Sequence, residues 1–162
     1  MTFDDLRQVL LKVASHVFEK SAFMGVLPGE EIDLPEGLPK LVASISFSGP
    51  QNGRLILAVS PEILLPLVTS MLGTDGTEEI REESKKDALL EVLNMVCGNV
   101  LIDIFGNEPV FRLQPPMMVG TEEAEAALAA VPENHHITIA VENTRADLIF
   151  QWENKKVGEA VS

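Results

Sequence analysis

The chain has 162 residues, 46% of them apolar, and carries 12 basic against 25 acidic side chains, a net charge of −13. That length allows one domain with a real core, and that charge repels phosphate backbones and anionic lipid, which sets aside nucleic acid and membrane surfaces as partners. Cys97 is the single cysteine, so no intrachain disulfide can form; the acidic start Met-Thr-Phe-Asp-Asp lacks the basic region of a signal peptide, and no run of about 18 apolar residues reads as a membrane span, so the cytoplasm is the expected compartment.

Phe3, Leu6, Val9, Leu10, Val13, Val17 and Phe18 recur at helical spacing, which predicts a first long helix over residues 3–22. Thr2 and Asp5 stand in capping-box-like positions at its start. Gly25 marks its end, and Pro28, Gly29, Pro35, Gly37 and Pro39 read as a long loop. Residues 41–47 alternate apolar and small polar side chains, and Gly49-Pro50-Gln51-Asn52-Gly53 is strong turn chemistry. With residues 54–59 returning, a hairpin is expected. Ser60-Pro61 reads as an N-cap with proline at the first helical position. Pro66 predicts a kink or an early break in the short helix that follows, and Gly73-Thr74-Asp75-Gly76 closes it. A second long helix is predicted over 82–105, with acidic residues in its first turn and Gly106, Asn107 and Pro109 behind it. Residues 110–113 and 117–120 read as short extended pieces, and 121–130 as an Ala/Glu helix capped by Thr121. Residues 135–141 and 147–152 form a C-terminal hairpin around Asn143-Thr144-Arg145-Ala146. The expected class is α+β: a mostly antiparallel sheet with two long helices packed on it, arranged as a coarse duplication of helix, strand, strand. Residues 1–154 read as a single domain and 155–162 as a flexible tail.

The most informative stretch is Asp87-Ala-Leu-Leu-Glu91-Val-Leu-Asn94 inside the second long helix. At about 100° per residue, Asp87, Glu91, Asn94 and Gly98 fall within a strip of roughly 60°. Leu89, Leu93, Val96, Cys97, Val100 and Ile104 occupy the opposite side. A surface helix needs a polar face, and Asp, Glu and Asn are ordinary there. Two of these residues nevertheless oppose the local structure. Asparagine in mid-helix costs about half a kcal/mol against alanine and glycine about 1 kcal/mol. Such departures tend to fall at functional sites, and a glycine lets another surface approach the backbone.

The run Asp87-x3-Glu91-x2-Asn94, followed after 21 residues by Pro116, resembles the signature of the CheC/CheX/FliY family of chemotaxis phosphatases. The order of helices and strands around it is similar to that family over most of the chain, including its CheC-like pseudo-duplicated arrangement. CheC proteins carry the signature on both long helices. Here the first helix, ending Ser15-His-Val-Phe-Glu-Lys-Ser-Ala22, has no Glu-x2-Asn, so the chain most resembles the one-site CheX type, which is dimeric in the family.

The resemblance implies hydrolysis of the aspartyl phosphate on a CheY-type response regulator. Asn94 would position the attacking water, because a neutral carboxamide both donates and accepts hydrogen bonds and does not repel phosphoryl oxygens. Glu91 would pair with the regulator's active-site lysine. Asp87 would support that contact, Gly98 would leave the strip open, and Pro116 would shape the loop beside the helix. The chain is expected to need no metal or cofactor of its own, with Mg²⁺ carried by the regulator. A homodimer is implied, and neither nucleic acid nor membrane is an expected partner. The alternatives are a regulator-binding or flagellar-switch-like assembly module that does not hydrolyse, and a dimeric structural protein whose strip is merely solvated.

Other candidates carry less. His135 and His136 are neighbours in a strand pattern and face opposite sides, so they cannot jointly hold one metal. His16 has no carboxylate set nearby, Cys97 points to the apolar side of its helix, and Met117-Met118 read as core. Gly73-Thr74-Asp75-Gly76 lacks the length and lysine of a phosphate loop.

Overall fold

A computed structural model describes residues 3–73 and 79–153. Thr2, residues 74–76 of the predicted closing turn and the 155–162 tail lie outside the described residues. The elements in chain order are α1 (Phe3–Ala22), β1 (Val26–Pro28), β2 (Leu41–Ser48), β3 (Gly53–Val59), α2 (Leu64–Leu72), α3 (Glu82–Phe105), β4 (Arg112–Leu113), β5 (Met117–Val119), α4 (Thr121–Ala130), β6 (His136–Val141) and β7 (Thr144–Trp152). The two long helices and the first hairpin match their predicted ranges to within a residue.

All strands among the described residues join one antiparallel sheet in the order β1-β6-β7-β3-β2-β4, with β5 also on the outer edge of β2. The order displays the duplication. The short strand after α1 pairs with the second hairpin, β6-β7, and the short strand β5, which follows α3, pairs with the first, β2-β3. The two hairpins meet along β3 and β7, from Gly53 opposite Trp152 to Val59 opposite Ala146.

Strand alternation assigns the two faces. Ile45, Phe47, Leu55, Leu57, Leu148 and Phe150 point to one side, where they join Leu10, Phe18, Leu67, Leu89 and Leu93 from α1, α2 and α3 in the main core. Val42, Ile56, Ala58 and Ile149 point to the other and pack on Ala124 and Ala127 of α4. Three helices therefore cover one face, and the small α4 covers part of the other.

Several local expectations change. Residues 26–28 form the edge strand β1 rather than loop. Pro28 is tolerated there because an edge strand has a free side for a residue without an N–H. Pro66 neither kinks nor ends α2. It falls in the first turn, where its missing N–H has no intrahelical partner to lose. The irregularity lies ahead of it, as a 3-10 turn over Pro61–Ile63, and the Ser60 hydroxyl donates to Glu62 instead of capping. Gly73 closes α2 in the left-handed region, at φ 71°. The N-cap of α4 is Gly120, not Thr121; its carbonyl accepts the Glu123 N–H at 3.2 Å, and among the described residues no side chain caps the helix. β7 begins at Thr144, because the hairpin turn is the two-residue loop Glu142–Asn143, with φ of 47° and 66°. Length and composition make α3 long and apolar enough to cross a bilayer, contrary to the reading from apolar runs. Its apolar residues pack instead on α1, α2 and the sheet.

Candidate active site on the outer face of the long helix

α3 is fixed before it is functional. Glu82 and Glu83 occupy its first turn, where negative charge suits the helix dipole. At the other end Gly106, at φ 81°, stops it and donates its N–H to the carbonyl of Ile102 at 2.7 Å. Leu89, Val92, Leu93, Cys97 and Val100 are fully buried along its inner side. α1 lies alongside, joined by the Ser21 hydroxyl to Met95 Sδ at 3.5 Å and by an ion pair of Lys12 with Asp103 at 2.9 Å. The exposed ion pair adds little; the buried apolar seam holds the helix.

On the outer side the predicted strip is present as a strip. Asp87 and Glu91 are exposed, and Asn94 and Gly98 are half-buried. Asn94 is thus less open than a fully solvated residue. Among the described residues, the side chains of Asp87, Glu91 and Asn94 have no hydrogen-bond or ion-pair partner. Glu91 and Asn94 are separated by about 4.5 Å along the helix axis. A Cβ built on Gly98 would meet nothing within 4 Å among the described residues, so none of them requires a glycine there. Pro116 is half-buried immediately before β5, a strand that touches α3, and it is outside the strip itself. Met118 packs against the core, whereas Met117 is exposed, so only one of that pair is the core residue expected of both.

The strip combines an acceptor-only carboxylate with an amide that can donate and accept. Both stand on a helix that cannot shift without disturbing the core. Such a pair can grip a cation and orient a water on an incoming surface.

The remaining titratable groups lie elsewhere. Burial pushes the Cys97 thiol up to about 12, so at neutral pH it is an apolar packing group. His135 closes a 3-10 turn rather than opening a strand; it is buried, and that burial lowers its pKa despite an opposing backbone hydrogen bond at Phe150. His16 is exposed on α1. Among the described residues no group of three His, Cys, Asp or Glu side chains is placed to hold a metal ion.

Sequence reasoning missed a polar network on the sheet face away from α3. Asp147 is completely buried and accepts from Thr138 Oγ1 at 2.6 Å and from Arg145 Nε at 2.8 Å and Nη2 at 3.1 Å. His136 Nε2 lies 2.7 Å from the same carboxylate. Arg145 Nη1 also donates to the Pro35 carbonyl at 2.7 Å, pinning the loop after β1 to the sheet. Burial alone would raise the Asp147 pKa, but the bonds from His136, Arg145 and Thr138 outweigh it and hold the carboxyl below its ordinary value. A carboxylate so fully engaged has a structural role. Its signal was available: Arg145 and Asp147 share a strand face, opposite Thr138 across the ladder.

The sequence profile described as chemotaxis phosphatase CheX matches residues 41–140, a span from the start of β2 into β6 that contains α3. Among curated proteins, none matches the chain by sequence. Solved structures share the fold. A chemotaxis protein CheX from Desulfovibrio desulfuricans superposes with a TM-score of 0.68 at 16% identity, covering 92% of this chain and 99% of that one. A CheC-like superfamily protein from Shewanella gives 0.62 at 23% identity, over 95% and 100% of the two chains. CheX of Borrelia burgdorferi, solved as a CheX-CheY-BeF3-Mg²⁺ complex, gives 0.61 at 15% identity, over 91% and 97%. With most of the chain matched by that profile, and with an antiparallel sheet carrying the helices those structures carry, this protein belongs to the chemotaxis phosphatase CheX family.

Proposed function

We propose that this chain hydrolyses the aspartyl phosphate of a CheY-type response regulator. The observation that carries the reading is the pair Glu91 and Asn94, one turn apart on the core-packed α3, with no partner for either side chain among the described residues. Membership of the CheX family supports it, as does the complex in which the Borrelia CheX was solved with CheY.

An acyl phosphate is intrinsically reactive, and the regulator brings its own lysine and Mg²⁺. What it lacks is a water held in line with the bond to be broken. Asn94 holds that water, with the amide oxygen accepting from it and the amide N–H₂ free to meet a phosphoryl oxygen. A carboxylate at this position would repel the phosphoryl group. Glu91 pairs with the regulator's lysine and sets the docking register. Asp87, one turn earlier, adds negative charge that favours approach of a basic rim. The residues of this chain contribute position and hydrogen bonds and need no metal of their own. The reaction belongs to the cytoplasm, and a homodimer would present one such strip per subunit.

The test is phosphate release from a regulator charged with acetyl phosphate, with and without this protein. Acceleration is expected at substoichiometric protein. Binding of the phosphorylated regulator with unchanged phosphate release would instead establish a non-hydrolysing assembly module.

A further inference from the structure

We propose that a groove running from Gly98 to Val110 seats an apolar side chain of the response regulator, next to the regulator's phosphorylation pocket. This rests on the function proposed above and adds a specific docking surface to it. The groove is a cavity of about 320 Å³ lined by Gly98, Leu101 and Ile102 of α3 and by Pro109, Val110 and Phe111 of the segment that returns beside it. Gly98 makes one wall low, because no side chain projects there and nothing else among the described residues takes the space. The reversal at Gly106, at φ 81°, brings the opposite wall back alongside the helix. That wall is firm: the Phe111 ring packs on Phe105 with centroids 5.0 Å apart and on Phe47 at 5.9 Å. Ile102 is 50% exposed and Val110 84% exposed, so two aliphatic side chains at the groove stand largely open to water.

Position identifies the occupant. Gly98 and Ile102 continue the line of Asp87, Glu91 and Asn94, about 6 Å and 12 Å further along the axis than Asn94. A protein of ordinary interface size covers about 800 Å² on its partner, a disc of roughly 16 Å radius. A regulator footprint of that size centred on Asn94 would therefore cover this groove. A second copy of the chain seated there would cover Asn94 as well. The energetics point the same way. An exposed carboxylate–lysine pair contributes little to affinity, and stable docking draws on apolar groups desolvated near the middle of the interface.

The experiment compares wild type with Gly98→Leu, which fills the groove, and Val110→Asp, which charges it at a residue exposed to solvent and outside the core. Steady-state phosphate release is measured against the concentration of acetyl-phosphate-charged regulator, and binding is measured by titrating a beryllofluoride-charged regulator. The expected result is a rise of tenfold or more in KM and in Kd for both variants, with kcat within about twofold, the unfolding midpoint of Val110→Asp unchanged and that of Gly98→Leu level or raised, since leucine is the better helix former. Wild-type KM and Kd in a folded Val110→Asp would overturn the proposal, and so would a fall in kcat at constant KM. If wild type binds the regulator without hydrolysing it, the catalytic reading fails, and the Kd comparison still decides the groove. Absence of binding by wild type overturns both.

Discussion

Asn94 and Asn99 stand five residues apart on α3 and use their amides in opposite ways. Asn99 Nδ2 donates to the Met95 carbonyl at 2.7 Å, folding its amide back on its own helix. Asn94 makes no such bond among the described residues. Replacing each with alanine separates catalysis from helix chemistry. Asn94→Ala is expected to lose at least about 100-fold in the rate of regulator dephosphorylation, which is about 2.7 kcal/mol of transition-state stabilisation. It should still bind the phosphorylated regulator, and its thermal midpoint should stay level or rise slightly, since alanine is the better helix former. Asn99→Ala should keep wild-type turnover. Equal losses in the two variants would assign the effect to the helix and not to the amide.

Glu91 contributes through charge on an exposed face, so its effect should respond to salt. Glu91→Ala and Glu91→Gln are both expected to weaken regulator binding by about two- to fivefold at low ionic strength, measured by titration. Screening acts within a Debye length of about 10 Å at 0.1 M, so the difference from wild type should shrink as salt rises. A defect independent of salt would count against a lysine contact.

The buried carboxylate of Asp147 should dominate the stability of the second sheet face. Asp147→Ala leaves the Arg145 guanidinium and the Thr138 hydroxyl without their acceptor inside the protein. A loss of about 3–5 kcal/mol is expected from breaking a buried pair. Thr138→Val removes a single bond and should cost about 1 kcal/mol. Denaturant titration of the two variants measures the ratio. Asp147→Ala, which frees Arg145, should also release the loop held by the bond from Arg145 to the Pro35 carbonyl, and Thr138→Val should not; hydrogen exchange near Leu34 would detect the difference.

Acid should destabilise the protein in two stages. The His135 pKa is lowered by burial from 6.5, so the unfolded chain takes up a proton before the folded one does. Its contribution is whole above pH 6.5 and is lost as pH falls below that towards the folded value. Asp147 is also lowered, from 3.8, by its hydrogen bonds. Its contribution is whole above that ordinary value and disappears only in stronger acid. Unfolding free energy measured against pH should therefore decline first below about 6.5 and again below about 4. His135→Gln should remove the first decline and leave the second.

The parts of this fold readable in the chain are those where one period dominates. α1 and α3 keep a helical repeat over five turns or more, and β2 and β3 alternate around strong turn residues, so their ranges fall where expected. β1 is too short to show alternation and ends in proline; it is a strand because β6 presents an edge to be paired. The start of β7 was hidden because its turn uses Glu142 and Asn143 at positive φ, with no glycine to mark it. Glu142 is stabilised there from a distance, accepting the Gly25 N–H at 2.9 Å. The strip from Asp87 to Gly98 was legible since helical geometry alone aligns it. The groove beside it was not, because its second wall comes from residues beyond the reversal at Gly106, which no helical period can place.

The exchange of short strands has a consequence for how the molecule comes apart. β1 completes the sheet of the later hairpin and β5 that of the earlier one, while β3 and β7 form the seam between them. A polypeptide severed between Leu72 and Glu82 would yield two fragments, each exposing an apolar edge and missing its outer stave. Neither could persist alone, yet each is the other's template, so mixing them should restore a nicked molecule. The helix bearing Asn94 rests on α1, α2, β2 and β3 of the other fragment, so its rigidity belongs to the joined molecule and not to either part.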